Sequence, residues 1–260
     1  MLKRNRPALG LLFTLFFLWE AGCRLLALPS FILPAPSRVL AALWLWREAL
    51  LLEHLPVTAA EAMLGLGLSV LLGAGLAAAM HLVPALHRAL YPLIVASQTI
   101  PIIAISPVFL FWFGYSLGQK VAVVVLITFF PIAIGTFEGL RSVDRELLEW
   151  LQTSGASRWR ILRMAEAPAA LPAFITSLRV AAPVSVIGAV IGEWLGGQAG
   201  LGVFGRRAAS TLKSAELFAS VLLLALLGIL LVLLVVWLER RLLPYRLSDR
   251  PRQNNAWGIW

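Results

Sequence analysis

Gly139-Leu-Arg-Ser-Val-Asp144-Arg-Glu-Leu-Leu-Glu149-Trp-Leu-Gln-Thr-Ser-Gly155, followed by Ala-Ser-Arg158-Trp159-Arg160-Ile-Leu-Arg163-Met-Ala-Glu166-Ala-Pro168-Ala-Ala-Leu-Pro172, separates two long apolar runs of the chain. Glu146, Leu147, Leu148, Trp150 and Leu151 suit a short amphipathic helix. Gly155 is expected to end it, because a residue with positive φ commonly closes a helix. A second helix is predicted to start near Ser157 and to stop before Pro168. A helix-Gly-helix unit between two membrane spans presents a short, rigid element to solvent. Mechanical docking needs such a surface.

The flanking runs decide the class. Of 260 residues, 60% are apolar and only 13% are charged, where a soluble domain carries about a quarter charged. Several runs exceed the roughly 18 residues that about 30 Å of hydrocarbon demands of a helix. The chain is therefore expected to be an all-α integral membrane protein with about six spans, near 8–28, 56–80, 91–113, 120–138, 173–195 and 217–238. The net charge of +9 flanks apolar runs and forms no continuous basic patch, which argues against nucleic acid. With the N-terminus inside, fourteen Lys and Arg residues fall on the cytoplasmic side and six on the outer side. The cytoplasmic ones include Lys3, Arg4, Arg6, Arg246, Arg250 and Arg252 at the two ends; Lys120 is counted outside. That bias predicts both termini in the cytoplasm.

Lys3, Arg4 and Arg6 before an apolar run imitate a secretory signal, and Glu20-Ala-Gly-Cys23 ends like a lipoprotein site. Glu20 stands where such sites want an apolar residue, so an uncleaved helix over 1–28 is the better reading. The lone Cys23 excludes an intrachain disulfide. In the outer connection 29–55, Leu33-Pro-Ala-Pro-Ser-Arg-Val-Leu40 stops a helix, and Ser37 is expected to cap the next. Trp44, Trp46 and Leu50 among Arg47, Glu48 and Glu53 fit an amphipathic helix at the membrane interface, or one packed on the bundle. The core is placed at 56–243 and a cytoplasmic tail at 244–260.

Inside the core, Gly65, Ser69, Gly73 and Ala77 lie four residues apart on one helix face, a stripe suited to close helix packing. The third span carries Ser97, Gln98, Thr99 and Pro101, then Ser106 and Pro107. Broken backbone at membrane depth needs protein or a water-filled cavity around it, so Ser97, Gln98, Thr99 and Ser106 are candidates to line a passage. Arg179 and Glu193 stand in the fifth span. Arg179 can snorkel towards the cytoplasm, and Glu193 is a candidate substrate contact, since charge within a span is costly.

Enzymatic chemistry finds no support. His54, His81 and His87 lack metal-ligand spacing, and neither a G-x-S-x-G elbow nor a G-x-x-x-x-G-K-[ST] phosphate loop occurs. No catalytic, cofactor or metal residues are assigned. A secondary transporter, the alternative, would show inverted repeats and ion-coupling residues at mid-membrane, and no internal repeat is visible.

The 139–172 segment resembles the "EAA" loop of ABC-importer permeases, with Glu149, Gly155 and Pro168 at that motif's spacing. Trp150 and Leu151 replace its two alanines, and Ala165 and Ala167 replace its Ile and Leu. Leu33 to Leu40, Pro101-Ile-Ile-Ala-Ile-Ser-Pro107 with Trp112-Phe-Gly114, Phe130-Pro131, Gly139 to Asp144 and Ala169-Ala-Leu-Pro172 are similar to the nitrate/sulfonate/taurine-type permeases. Thr58-Ala-Ala-Glu61-Ala-Met-Leu-Gly65 and Ile191-Gly-Glu193-Trp194 resemble the branch associated with thiamine pyrimidine precursors such as hydroxymethylpyrimidine.

The resemblance implies a type I ABC-importer permease fold in the cytoplasmic (inner) membrane. It implies cytoplasmic ATPase subunits, a binding protein outside the membrane, and a permease homodimer in the bilayer. The coupling element would comprise Glu149, Gly155, Ala156, Ser157, Arg158, Trp159, Arg160 and Pro168. The solute is expected to be a pyrimidine precursor or a similar heterocycle, otherwise a sulfonate, nitrate or taurine-like anion.

Overall fold

The computed structural model describes residues 6–243, and all regular structure among them is helical. Helices α1 (Arg6–Leu25) and α2 (Pro36–Leu45) come first. A π-helical turn, Ala49–His54, then runs into α3 (Leu55–Leu82). Next are α4 (Pro84–Ser97), α5 (Ile102–Phe113) and α6 (Leu117–Leu140). The loop contains α7 (Arg145–Thr153) and α8 (Arg158–Ile161), and a second π-helical turn, Leu162–Glu166, leads into α9 (Ala167–Gly196). Helices α10 (Leu201–Ser210) and α11 (Ser214–Leu242) complete the order. Lys3, Arg4, Arg246, Arg250, Arg252 and the expected tail 244–260 lie outside the described residues.

Four stretches, 49–82, 117–140, 158–196 and 214–242, are long and apolar enough to cross a membrane, and α4 with α5 supplies a fifth as one broken span. The 20 residues of α1 reach about 30 Å at 1.5 Å per residue, the thickness of the hydrocarbon. About six spans follow, in agreement with the apolar runs.

The helices form two compact units. The first takes the described residues up to Gly65, with Ile100–Ile127 and Ser185–Gly228. Its apolar centre joins Val39, Ala42 and Leu50 to Leu201, Phe204, Ala219 and Leu223. A Cβ on Gly65 would stand 2.4 Å from the Val124 side chain, and one on Gly192 2.9 Å from Lys120 Cα. Helices α3 and α9 therefore both lie directly on α6 in this unit.

The second unit takes Leu66–Thr99, Thr128–Val184 and the described residues from Ile229. Ala77, Met80, Ile94 and Phe137 make one apolar cluster, and Leu140, Leu162 and Ala170 another. Here Gly73 meets the backbone of Ala133, and the Ser69 hydroxyl lies 2.6 Å from that of Thr128. The expected small-residue stripe is thus a packing surface, and α6 fills it.

Three expectations need correction. The helix after Gly155 does not stop before Pro168: helical backbone continues from Arg158 to Gly196, with Pro172 and Pro183 inside α9. The π-helical turn Leu162–Glu166 widens the ladder immediately before Pro168, where an unbroken α-ladder would meet the proline ring. Ser37 does not cap α2 either. Ala35 holds the cap position, Pro36 follows it, and Glu20 of α1 instead accepts from the Ser37 backbone N–H at 2.9 Å. Lys120, counted as an outer-loop cation, lies within α6 with its ammonium 2.6 Å from Glu61.

Candidate functional site

The 139–172 loop is built by local signals. Asp144 opens α7, its carboxylate accepting from the Glu146 N–H at 3.1 Å. Arg145 and Glu149, one turn apart, pair at 3.0 Å along the exposed side. At the other end the Ala156 N–H donates to Leu151 O and the Gly155 N–H to Gln152 O, both at 3.0 Å. These two bonds, with Gly155 at φ +78°, make a Schellman closure. Ser157 then caps α8, its hydroxyl accepting from the Arg160 N–H at 3.4 Å.

The loop buries little and exposes much. Ile161 and Leu162 turn inward, whereas Trp150 and Trp159 are 64% and 65% exposed and Leu147 and Met164 are also uncovered. Arg158, Arg160 and Arg163 are exposed among them, and so are Glu149, Gly155 and Pro168; Ala156 is half-buried. Tryptophan and arginine are the side chains that most often anchor a protein interface. Beneath this surface lies Glu166, 1% exposed. One of its oxygens is 3.0 Å from Arg158 Nη1 and the other 2.9 Å from His81 Nε2 at the end of α3.

The candidate passage residues are not brought together in one unit. Ser97, Gln98 and Thr99 belong to the second unit, Ser106 and Glu193 to the first. The hydroxyls of Ser97, Thr99 and Ser106 donate to the carbonyls of Ile94, Ala96 and Ile103 at 2.7, 2.7 and 2.8 Å. Of these carbonyls, that of Ile103 has lost its helical donor to Pro107. Gln98 is exposed at the end of α4.

Glu193 is fully buried and fully engaged. Its Oε1 accepts from the Thr58 hydroxyl at 2.6 Å, and its Oε2 from the backbone N–H of Gly202 at 2.6 Å and of Val203 at 3.3 Å. Thr58 Oγ1 in turn accepts from the Leu201 N–H at 2.8 Å, and His54 Nδ1 from that of Gly200 at 3.0 Å. Every orphan N–H at the start of α10 thus finds an acceptor on α3, α9 or the turn before α3, and the carboxylate complements the positive end of the helix. Gly200, at φ +125°, is required there, because a Cβ would lie 2.2 Å from the Glu193 carboxyl carbon. The side chain expected to meet solute is instead the cap of a short helix. Sequence reasoning also missed the partner of Arg179, which pairs with Glu239 of α11.

A bundle of apolar helices with one broken span and an exposed, capped helical loop defines a polytopic α-helical membrane protein. Residues 69–245 match the family of binding-protein-dependent transport system inner membrane components, and the chain belongs to that family. It is 44% identical over 250 residues to the formylaminopyrimidine transport permease ThiX of Halalkalibacterium halodurans, covering 94% of this chain and 99% of that one. It is 39% identical over 246 residues to the riboflavin transport system permease RibX of Chloroflexus aurantiacus, with 93% and 92% covered. An inward-facing structure of the MetNI methionine ABC transporter shares the fold at TM-score 0.66 and 17% identity, covering 77% of this chain and 97% of that one. The chain is accordingly the permease of an ABC importer rather than a secondary transporter.

Proposed function

We propose that residues 145–161 are the surface on which a separate ATPase subunit docks, and that two copies of the permease carry two such subunits. The observation that carries this reading is the exposed pair Trp150 and Trp159, held on two short helices by a Schellman closure and a serine cap. The chain has no phosphate loop of its own, so ATP must be hydrolysed elsewhere. One chain offers one docking loop, and isologous pairing satisfies both ATPase subunits.

In this arrangement both termini and the 139–172 loop face the cytoplasm, and a binding protein delivers solute from the opposite side. The passage is assigned to the broken span around Ser97, Gln98, Thr99 and Ser106. Glu193 fixes α10 within the first unit. The solute proposed is a pyrimidine precursor of thiamine or a similar neutral heterocycle, on the strength of the two relatives named for formylaminopyrimidine and riboflavin.

Native mass spectrometry of the purified complex tests the assembly. Two permease and two ATPase chains are expected. Trp159→Glu, an exposed substitution that spares the bundle, should leave the permease pair without ATPase. A transport-competent complex with one permease, or undiminished ATPase on Trp159→Glu, overturns the proposal.

A further inference from the structure

Helix α8 opens the continuous helical stretch Arg158–Gly196, so its backbone is already joined to the span α9. Passing its movement to a second span requires a lateral tie. Ile161 and Leu162 supply apolar burial, which is non-directional. The directional tie is Glu166. This carboxylate sits at the end of the π-helical turn and is nearly inaccessible to solvent. It faces Arg158, the first residue of α8, and His81, in the last turn of α3.

His81 Nε2 lies 2.9 Å from Glu166 Oε2 and 3.0 Å from Arg158 Nη2. The guanidinium can only donate, so Nε2 of a neutral imidazole serves one of these neighbours, accepting from Arg158 or donating to Glu166. Arg158 Nη1 donates to Glu166 Oε1 at 3.0 Å, so the three side chains meet at one point beneath the loop.

We infer that Glu166 is a positioning residue that ties α8 to α3 through His81, so that movement of the docking element is passed to a membrane span. The inference rests on residues 145–161 being the docking surface. Ionic networks with defined partners are among the physical carriers of coupling between sites. Apolar contact alone lets neighbouring helix ends slide past one another. A buried carboxylate held 3.0 Å from Arg158 Nη1 and 2.9 Å from His81 Nε2 resists that movement.

The test uses the full complex, reconstituted with its ATPase and with the binding protein loaded with formylaminopyrimidine. Glu166→Gln removes the negative charge between Arg158 and His81. His81→Phe removes Nε2 but keeps a ring, whereas His81→Gln returns a polar amide near the Nε2 position. For Glu166→Gln and His81→Phe we expect normal ATPase stoichiometry and basal hydrolysis. Stimulation by the loaded binding protein should fall about tenfold, within the range typical of coupling between sites. His81→Gln should recover most of it.

Full stimulation in both Glu166→Gln and His81→Phe overturns the inference, as does a loss in His81→Gln equal to that in His81→Phe. Dissociation of the ATPase from Glu166→Gln also overturns it, since the residue would then be holding the docking face together. Trp159→Glu run in parallel reports on the docking surface alone. If it sheds the ATPase while Glu166→Gln couples normally, only the inference fails.

Discussion

Replacing Gly155 isolates backbone strain from crowding. Its φ of +78° is in the left-handed region, yet no heavy atom lies within 4 Å of where a Cβ would stand. A substituent therefore meets no neighbour, and the whole effect comes from holding an L-residue in that conformation. That costs about 1–2 kcal/mol for an ordinary side chain, and a β-branched one belongs near the upper end of the roughly 1–3 kcal/mol span for strained positions. At about 1.4 kcal/mol per tenfold, Gly155→Ala should reduce the docking conformer about tenfold and Gly155→Val about a hundredfold. Gly155→Asn should be milder than either, because asparagine tolerates the left-handed region. Uptake and binding-protein-stimulated ATP hydrolysis should fall together in the order Asn, Ala, Val. Membrane abundance should stay near normal, because the residue is exposed and outside both apolar clusters of its unit. Normal transport by Gly155→Val would falsify the assignment of the coupling element. An effect that followed side-chain volume, with Asn as harmful as Val, would refute the strain argument.

Other outcomes test the remaining proposals. Single cysteines at Ser157 and Ser210, with Cys23 replaced, should label from opposite sides of the membrane; labelling of Ser157 from outside contradicts the proposed topology. Uptake of radiolabelled solute by cells expressing the whole system should be competed by formylaminopyrimidine and not by taurine, and the reverse pattern refutes the heterocycle reading. Glu193→Ala strands the Gly202 and Val203 N–H groups and should destabilise the purified permease by about 1–3 kcal/mol, lowering its Tm by several degrees. An unchanged Tm with abolished transport would instead make Glu193 a solute contact.

The fold was legible because hydrocarbon makes one strong demand on a helix, a long apolar run, and the chain meets it repeatedly. The Gly155 closure was legible for a local reason: a Schellman motif is set by residues adjacent in sequence. The failures share the opposite property. Nothing near Ser37 or Gly200 reveals that their helices are capped by Glu20 and Glu193, which come from other segments. One signal was available in both cases. The cap positions hold Ala35 and Gly200, neither of which carries a side-chain acceptor, so an acceptor had to come from elsewhere. Pro168 misled because a proline stops a regular ladder, and the π-helical turn ahead of it removes the regularity.

Charge inside an apolar run is commonly taken to mark a transport site, and here that rule yields to a more basic one. Away from water, every helix start needs acceptors and every carboxylate needs donors. Glu193 answers the start of α10, Glu61 has Lys120, Glu166 has Arg158 and His81, and Glu239 has Arg179. Each of these carboxylates has a protein partner before any solute arrives, and Oε2 of Glu61 and of Glu166 is left without a hydrogen bond. A solute that took Glu193 as its partner would have to release Gly202 and Val203 and loosen α10. Binding and helix position would then be coupled.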